Sequence, residues 1–294
     1  MPILPAQSLK LDRDTVRVLI TGFGPFSVFK EVNPSWLAVR PLHNTILHTE
    51  SPAVPVTHKN TIVEDPPASP RQIHITTLEV PVTYDAVLTQ IPGLHQSPPV
   101  FPTHTDPSFS IPPPPYKGYD FIMHVGVAGP GPLALEKLAH KSGYLSKDVD
   151  DKLAPEMNAQ EGEKADRELS AAELFEGERA GGISFTSSAI QRGFAEGYET
   201  FDEELFTQID TDELCTYLRS VGASPVHVSE DPGRYLCDFI YYCSLAEAQR
   251  QSKITGKDTT PVLFLHCPPV GQPLDTEAVT NAIKRIVSWV SARI

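Results

Sequence analysis

No stretch of the sequence approaches the roughly 18 to 20 consecutive apolar residues that a bilayer-spanning helix needs, so membrane partners are not expected. Met1 to Asp14 holds Pro2 and Pro5 but no basic-then-apolar signal pattern, which disfavours ordinary secretion. Cysteine is scarce, with four residues at 215, 237, 243 and 267 in a chain of 294. Their spacing suggests no disulfide framework, and a reducing, cytoplasmic setting with thiols open to chemistry is the expectation. Positive charge is also short: 24 Lys plus Arg stand against 37 Asp plus Glu, a net of −13, and no nucleic-acid face is expected. That deficit is local. Asp148 to Glu213 contains 19 acidic and 5 basic residues, while the rest of the chain contains 18 and 19. A block so acidic and poor in aromatics reads as solvated surface rather than a docking surface for a basic partner.

Proline is plentiful, and its distribution divides the chain. Residues 91 to 117 carry nine Pro in 27 positions and residues 52 to 70 carry five in 19. Each Pro removes a backbone donor and biases its predecessor toward extended geometry, so both stretches read as surface loops. No internal repeat is present. Between these interruptions, short β-branched runs alternate with turn residues and helical periods, the pattern of an α/β protein. The strand candidates are Val16 to Thr21, Ile73 to Val80, Phe121 to Val127, Pro225 to Val228 and Val262 to His266. Asn33 and Pro34 predict a helix start with Trp36, Leu37 and Val39 on its buried side. A last amphipathic helix is predicted from about Asp275, with Val279, Ile283, Ile286, Val287 and Val290 facing the sheet.

In open α/β sheets functional groups gather where strands end and helix amino ends point inward. Ser229 to Cys237 reads as such a place, a strand entering a turn with Cys237 beginning a helix. The partial positive charge there lowers a thiol pKa and favours a nucleophilic thiolate, although buried cysteines also serve as plain core residues. His266 closes an apolar strand before Pro268 and Pro269, where a general base could face the same loops. Glu136, after the Gly126 to Gly129 turn, is the carboxylate best placed to orient that histidine; a surface role is the alternative. His124, mid-strand, reads as a satisfied core residue. Cys237 and Cys243 face different sides of a helix, and His266 and Cys267 opposite faces of a strand, so no metal is expected. Gly22 and Gly24 lack the third Gly of a dinucleotide fingerprint and the Lys of a Walker loop, and no cofactor is expected. Phe23 and Phe26 could wall a small, flat, uncharged ligand or simply fill the core.

Four segments together resemble pyroglutamyl peptidase I, a cysteine peptidase family that removes amino-terminal pyroglutamate. They are Thr21-Gly22-Phe23-Gly24-Pro25-Phe26 with Val32-Asn33-Pro34-Ser35-Trp36; His124-Val125-Gly126-Val127-Ala128-Gly129 with Leu135-Glu136-Lys137; Asp231-x-Gly233-Arg234-Tyr235-Leu236-Cys237-Asp238-Phe239; and His266-x-Pro268-Pro269. Their order and spacing agree with the family over nearly all of the chain outside three interruptions, at about 48–70, 91–116 and 145–182. The resemblance implies one peptidase domain over 1–294, a three-layer α/β/α unit with a twisted mixed sheet and helices on both faces. It further implies Cys237 as nucleophile, His266 as acid and base, Glu136 as the orienting carboxylate, and peptides with amino-terminal pyroglutamate as substrates. Phe23 and Phe26 would wall the lactam pocket, with backbone groups at Gly126 and Val127 reading the ring amide.

The sequence departs from bacterial members at Val127, where they have Gln, and at Ser146, where they have Arg; animal members share Val at the former. Two other expectations compete: a non-catalytic relative acting as a scaffold, and a nucleoside phosphorylase-like enzyme of similar architecture. Residues 150 to 178 of the acidic block are expected to be mobile and dispensable for the core.

Overall fold

The computed structural model describes residues 9–49, 70–103, 111–157 and 191–294. β-branched runs form the centre of a seven-stranded mixed sheet. Its strands are β1 (Val16–Phe23), β2 (Thr45–His48), β3 (Gln72–Val80), β4 (Phe121–Val127), β5 (Leu133–Glu136), β8 (Val226–Ser229) and β9 (Val262–Cys267), in the spatial order β2-β3-β1-β4-β9-β5-β8. β3, β1, β4 and β9 are parallel, β2 runs antiparallel to β3, and β5 runs antiparallel to β9 but parallel to β8. Two short strands, β6 (Leu138–His140) and β7 (Glu204–Phe206), pair antiparallel outside this sheet.

Side-chain alternation along the central strands creates two cores, as a period of two requires. Leu19, Phe23, Ile122 and Phe264 meet α2 (Tyr84–Leu94) and α4 (Leu236–Thr255) on one face. Val18, Ile20, Met123 and Leu263 meet α1 (Pro34–Val39), α3 (Thr211–Ser220) and α5 (Thr276–Ser291) on the other. The result is the α/β/α sandwich that the resemblance implied. Gly22 lets α1 lie close on β1: a Cβ there would come within 3.0 Å of the Trp36 backbone. In α5 all five residues expected on the buried side are buried, each worth about 1.5–3 kcal/mol of apolar transfer before ordering costs.

Several expectations need adjustment. Leu37 is 38% exposed and points away from the core, because α1 is only six residues long and buries Trp36, Ala38 and Val39 instead. The Pro-rich stretch from 91 does not begin as a loop. α2 continues to Leu94 with Pro92 inside its last turn, where Ile91 and Leu94 are fully packed and tertiary burial outweighs one lost backbone bond. Within the acidic block, Ala154 is buried and Arg192 bridges to Glu156 at 2.8 Å, so 150–157 is anchored at these points while 150–152 and 156 stay exposed; residues 158–178 lie outside the described residues. The chain returning at 191 adds Phe194, Tyr198, Phe201 and Leu205 to the α4 core. Among the described residues no helix is long and apolar enough to cross a membrane.

Candidate active site

The pairing of β4, β9 and β5 determines the site. Gly126 on β4 is opposite His266 on β9, and His266 is opposite Ala134 on antiparallel β5, leaving Glu136 two residues further along β5 on the same face, opposite Phe264. From there the His266 Nδ1–H donates to Glu136 Oε1 at 2.6 Å. Both groups are buried, at 5% and 1% exposure. An ionised carboxylate can only accept, so this bond keeps the proton on Nδ1 and leaves the lone pair of the neutral ring on Nε2. His266 Nε2 and Glu136 Oε2 are themselves buried without a hydrogen-bond partner. Glu136 is held at its backbone as well, where its carbonyl accepts from the Tyr241 hydroxyl of α4 at 2.9 Å.

Cys237 reaches the same spot from the helix side. It is the second residue of α4, 8% exposed, at the amino end where the helix field favours a thiolate. The position a Cβ would take on Gly126 lies 2.8 Å from Cys237 Sγ and 2.7 Å from Phe264 Cζ. The sulfur therefore sits directly over Gly126, one strand spacing of about 4.8 Å from the strand that carries His266. The absence of a side chain at Gly126 makes the room. None of the four cysteines forms a disulfide. Cys267 lies on the opposite face of β9, in the other core. Burial pushes the thiols of Cys215 and Cys243 up, which suits core residues and not nucleophiles. Among the described residues no cluster of His, Cys, Asp or Glu has metal-binding geometry.

Beside the sulfur is a small apolar pocket lined by Phe23, Phe26, Asn33, Val82, Val127, Tyr235, Leu236 and Cys237. Asn33 does more than begin α1. Its Oδ1 accepts from Ser35 N at 2.9 Å, its Nδ2 donates to Gly24 O at 3.1 Å, and Ser35 Oγ accepts from Phe23 N at 3.0 Å. One helix cap thus fixes the backbone that carries the aromatic wall. Phe26 is clamped by reciprocal backbone bonds with Phe29 at 3.1 and 2.9 Å. Of the expected pocket residues, Phe23, Phe26 and Val127 line it, while Gly126 lies beneath the sulfur. Val82, Asn33, Tyr235 and Leu236 were not singled out as lining; Tyr235 and Leu236 stand within the Gly-Arg-Tyr-Leu-Cys string itself. His124 is fully buried and its Nδ1 pairs with Thr21 Oγ1 at 2.7 Å, while its Nε2 is buried without a partner, so it is a core histidine only half satisfied. A wider groove passes Lys284, Arg285 and Ser288 of α5 and contains none of these groups.

A three-layer α/β/α sheet thus brings a buried Cys, His and Glu together beside a small apolar pocket. The chain is 26% identical over 272 residues to pyroglutamyl-peptidase 1 of mouse and of human, covering 92% of this chain and 87% of each relative. Its fold matches pyroglutamyl peptidase I of Bacillus amyloliquefaciens with a TM-score of 0.57 at 17% identity, covering 94% of this chain and 97% of the other. It also matches a mutant pyrrolidone carboxyl peptidase of Pyrococcus furiosus with a TM-score of 0.55 at 14% identity, over 95% and 99% of the two chains. No family model matches the sequence.

Proposed function

We propose that this chain is a cysteine peptidase that hydrolyses the amide bond following an amino-terminal pyroglutamate. The observation that carries the reading is the buried Glu136–His266 pair, with its unpartnered Nε2, on the strand next to the glycine over which Cys237 Sγ lies. His266 Nε2 takes the thiol proton as Cys237 Sγ attacks the carbonyl carbon linking pyroglutamate to the next residue. Backbone amides at the start of α4 stabilise the oxyanion. Collapse of the tetrahedral adduct breaks the C–N bond, and the imidazolium protonates the departing amine. Water then attacks the thioester with His266 as base, releasing pyroglutamate and regenerating the thiol. Glu136 holds the ring in the productive tautomer and stabilises its charged form.

Selectivity follows from the pocket. Two Phe faces, Val82 and Val127 offer a lactam ring apolar contact, and no acidic side chain lines the cavity to balance an ammonium. Desolvating a free amino terminus there is costly, whereas a neutral ring loses little. Four cysteines whose spacing suggests no disulfide framework support a cytoplasmic setting. Fluorophore release from pyroglutamyl, prolyl and glutamyl amides tests the reading. Wild type should cleave the pyroglutamyl amide at least about 100-fold better, because Pro lacks the ring amide that the site reads. Cys237→Ala should be inactive and folded. Comparable prolyl cleavage, or activity in Cys237→Ala, would refute the proposal.

A further inference from the structure

One buried carboxylate beside the nucleophile has no part in the mechanism above. Asp238 follows Cys237 directly and is fully buried. An acidic residue in the first turn of a helix ordinarily complements its own helix end. Asp238 instead reaches across to β6. Its Oδ1 accepts the His140 N–H at 2.9 Å, and its Oδ2 lies 3.2 Å from both His140 Nδ1 and the Tyr144 hydroxyl. That hydroxyl also contacts the His140 carbonyl oxygen. Arg234 Nη1 stands 3.7 Å from Oδ2 and is itself anchored on Gly233 O at 2.7 Å. Burial pushes the Asp238 carboxyl up, against the hydrogen bonds and charge of His140 and the charge of Arg234.

The connectivity gives this cluster a consequence. On the helix side Asp238 is bonded to Cys237; on the strand side His140 is four residues from Glu136. Tyr241, one turn further along α4, already holds the Glu136 carbonyl. A single tie at Tyr241 would let the helix start pivot over the sheet, and a second at Asp238 removes that freedom. Resting on the peptidase reading, we infer that Asp238 is a positioning residue: by tying the first turn of α4 to the His140 backbone, it fixes Cys237 relative to the His266–Glu136 pair. Its carboxylate would by itself oppose thiolate formation next door, and Arg234 offsets that charge.

Kinetics normalised to the fraction of alkylatable Cys237 test this. Asp238→Ala should lose about 100-fold in kcat, the scale of a 1 Å misplacement, with KM within about threefold because Phe23, Phe26, Asn33, Val82 and Val127 of the pocket lie off the helix and stay in place. Asp238→Asn keeps an acceptor for the His140 N–H and should recover to within about tenfold of wild type. If Asp238→Ala does not fold, Asp238→Glu carries the test, and should lower kcat about tenfold at unchanged KM by displacing the tie by one methylene. Wild-type kcat per titrated thiol in Asp238→Ala or Asp238→Glu would overturn the inference, as would Asp238→Asn as impaired as Asp238→Ala. So would a loss confined to KM. A wild-type enzyme that leaves pyroglutamyl amides intact would instead overturn the peptidase reading, and the two failures are distinct.

Discussion

Replacing Gly126 with Ala probes the meeting point of all three proposed catalytic groups. The new methyl would arrive 2.7 Å from Phe264 Cζ and 2.8 Å from Cys237 Sγ, where ordinary carbon contacts settle at about 3.5–4.0 Å. Something must move by about 1 Å. Phe264 is fully buried, with its ring 4.7 Å from that of His266 and 5.7 Å from that of Tyr241, so its retreat disturbs either the base or the residue holding Glu136. If the sulfur retreats instead, the nucleophile itself is misplaced. Overpacking of this kind costs about 1–3 kcal/mol, which at about 2–4 °C per kcal/mol lowers the melting temperature by several degrees. Misplacement of a reacting group by 1 Å costs about 100-fold in kcat. Gly24→Ala is the control, because a Cβ there meets nothing nearer than Val80 O at 3.7 Å and the change should be tolerated. Calorimetry and steady-state cleavage of a pyroglutamyl amide measure both quantities. Wild-type kcat and stability in Gly126→Ala, or equal damage from Gly24→Ala, would refute this account of the site.

His266→Ala should be nearly inactive, because it removes the group that transfers protons. Glu136→Gln should retain a measurable fraction of kcat, since its amide oxygen can still accept from Nδ1–H; wild-type turnover in Glu136→Gln would assign the orienting role elsewhere. Acid stability offers a separate check. Burial holds His95 and His124 at about 3, against an ordinary value of 6.5, with each other's proximity also lowering His124. Above pH 6.5 both are neutral in either state and their contribution is fully present; between 6.5 and 3 the unfolded chain binds protons that the native state refuses. Together they should lower unfolding free energy by about 3 kcal/mol per pH unit across that window, read by denaturant titration. His95→Gln, which preserves a partner for the Ser244 hydroxyl now 2.7 Å from His95 Nε2, should halve that share. An unchanged slope would show that His95 is not held neutral.

The parts of the fold legible in sequence are those where one signal dominates. β1, β3, β4 and β8 are rich in β-branched residues and β9 is a short apolar run, and α1 and α5 carry Asn33 and Asp275 as caps whose side chains accept from Ser35 N and Ala278 N. α2 was obscured by Pro92, and β5 by its length of four residues, Leu133–Glu136, too short for an alternation to stand out. That strand matters, because it carries Glu136. Its place after the Gly126 to Gly129 turn makes Glu136 a candidate partner of His266 with a surface role as the alternative, and the antiparallel register of β5 on β9 brings the two together.

The site was more legible than its supports for a physical reason. Cys237, His266 and Glu136 are reactive types at element ends, and placement alone made them candidates. Tyr241, Asp238 and Asn33 act through partners distant in sequence, 105, 98 and 9 residues away for Glu136, His140 and Gly24 respectively. Asp238 stands out as the one charge in an apolar stretch, but nothing local to it or to Tyr241 names the distant backbone group that each one holds. Their roles arise because α4 crosses the β5–β6 segment, so that each meets a backbone group which burial would otherwise leave unsatisfied. A buried strand segment that must be hydrogen-bonded by the nucleophile's own helix couples folding of this region to alignment of the proposed catalytic groups. Substitutions along that helix face should therefore lower kcat more than they raise KM.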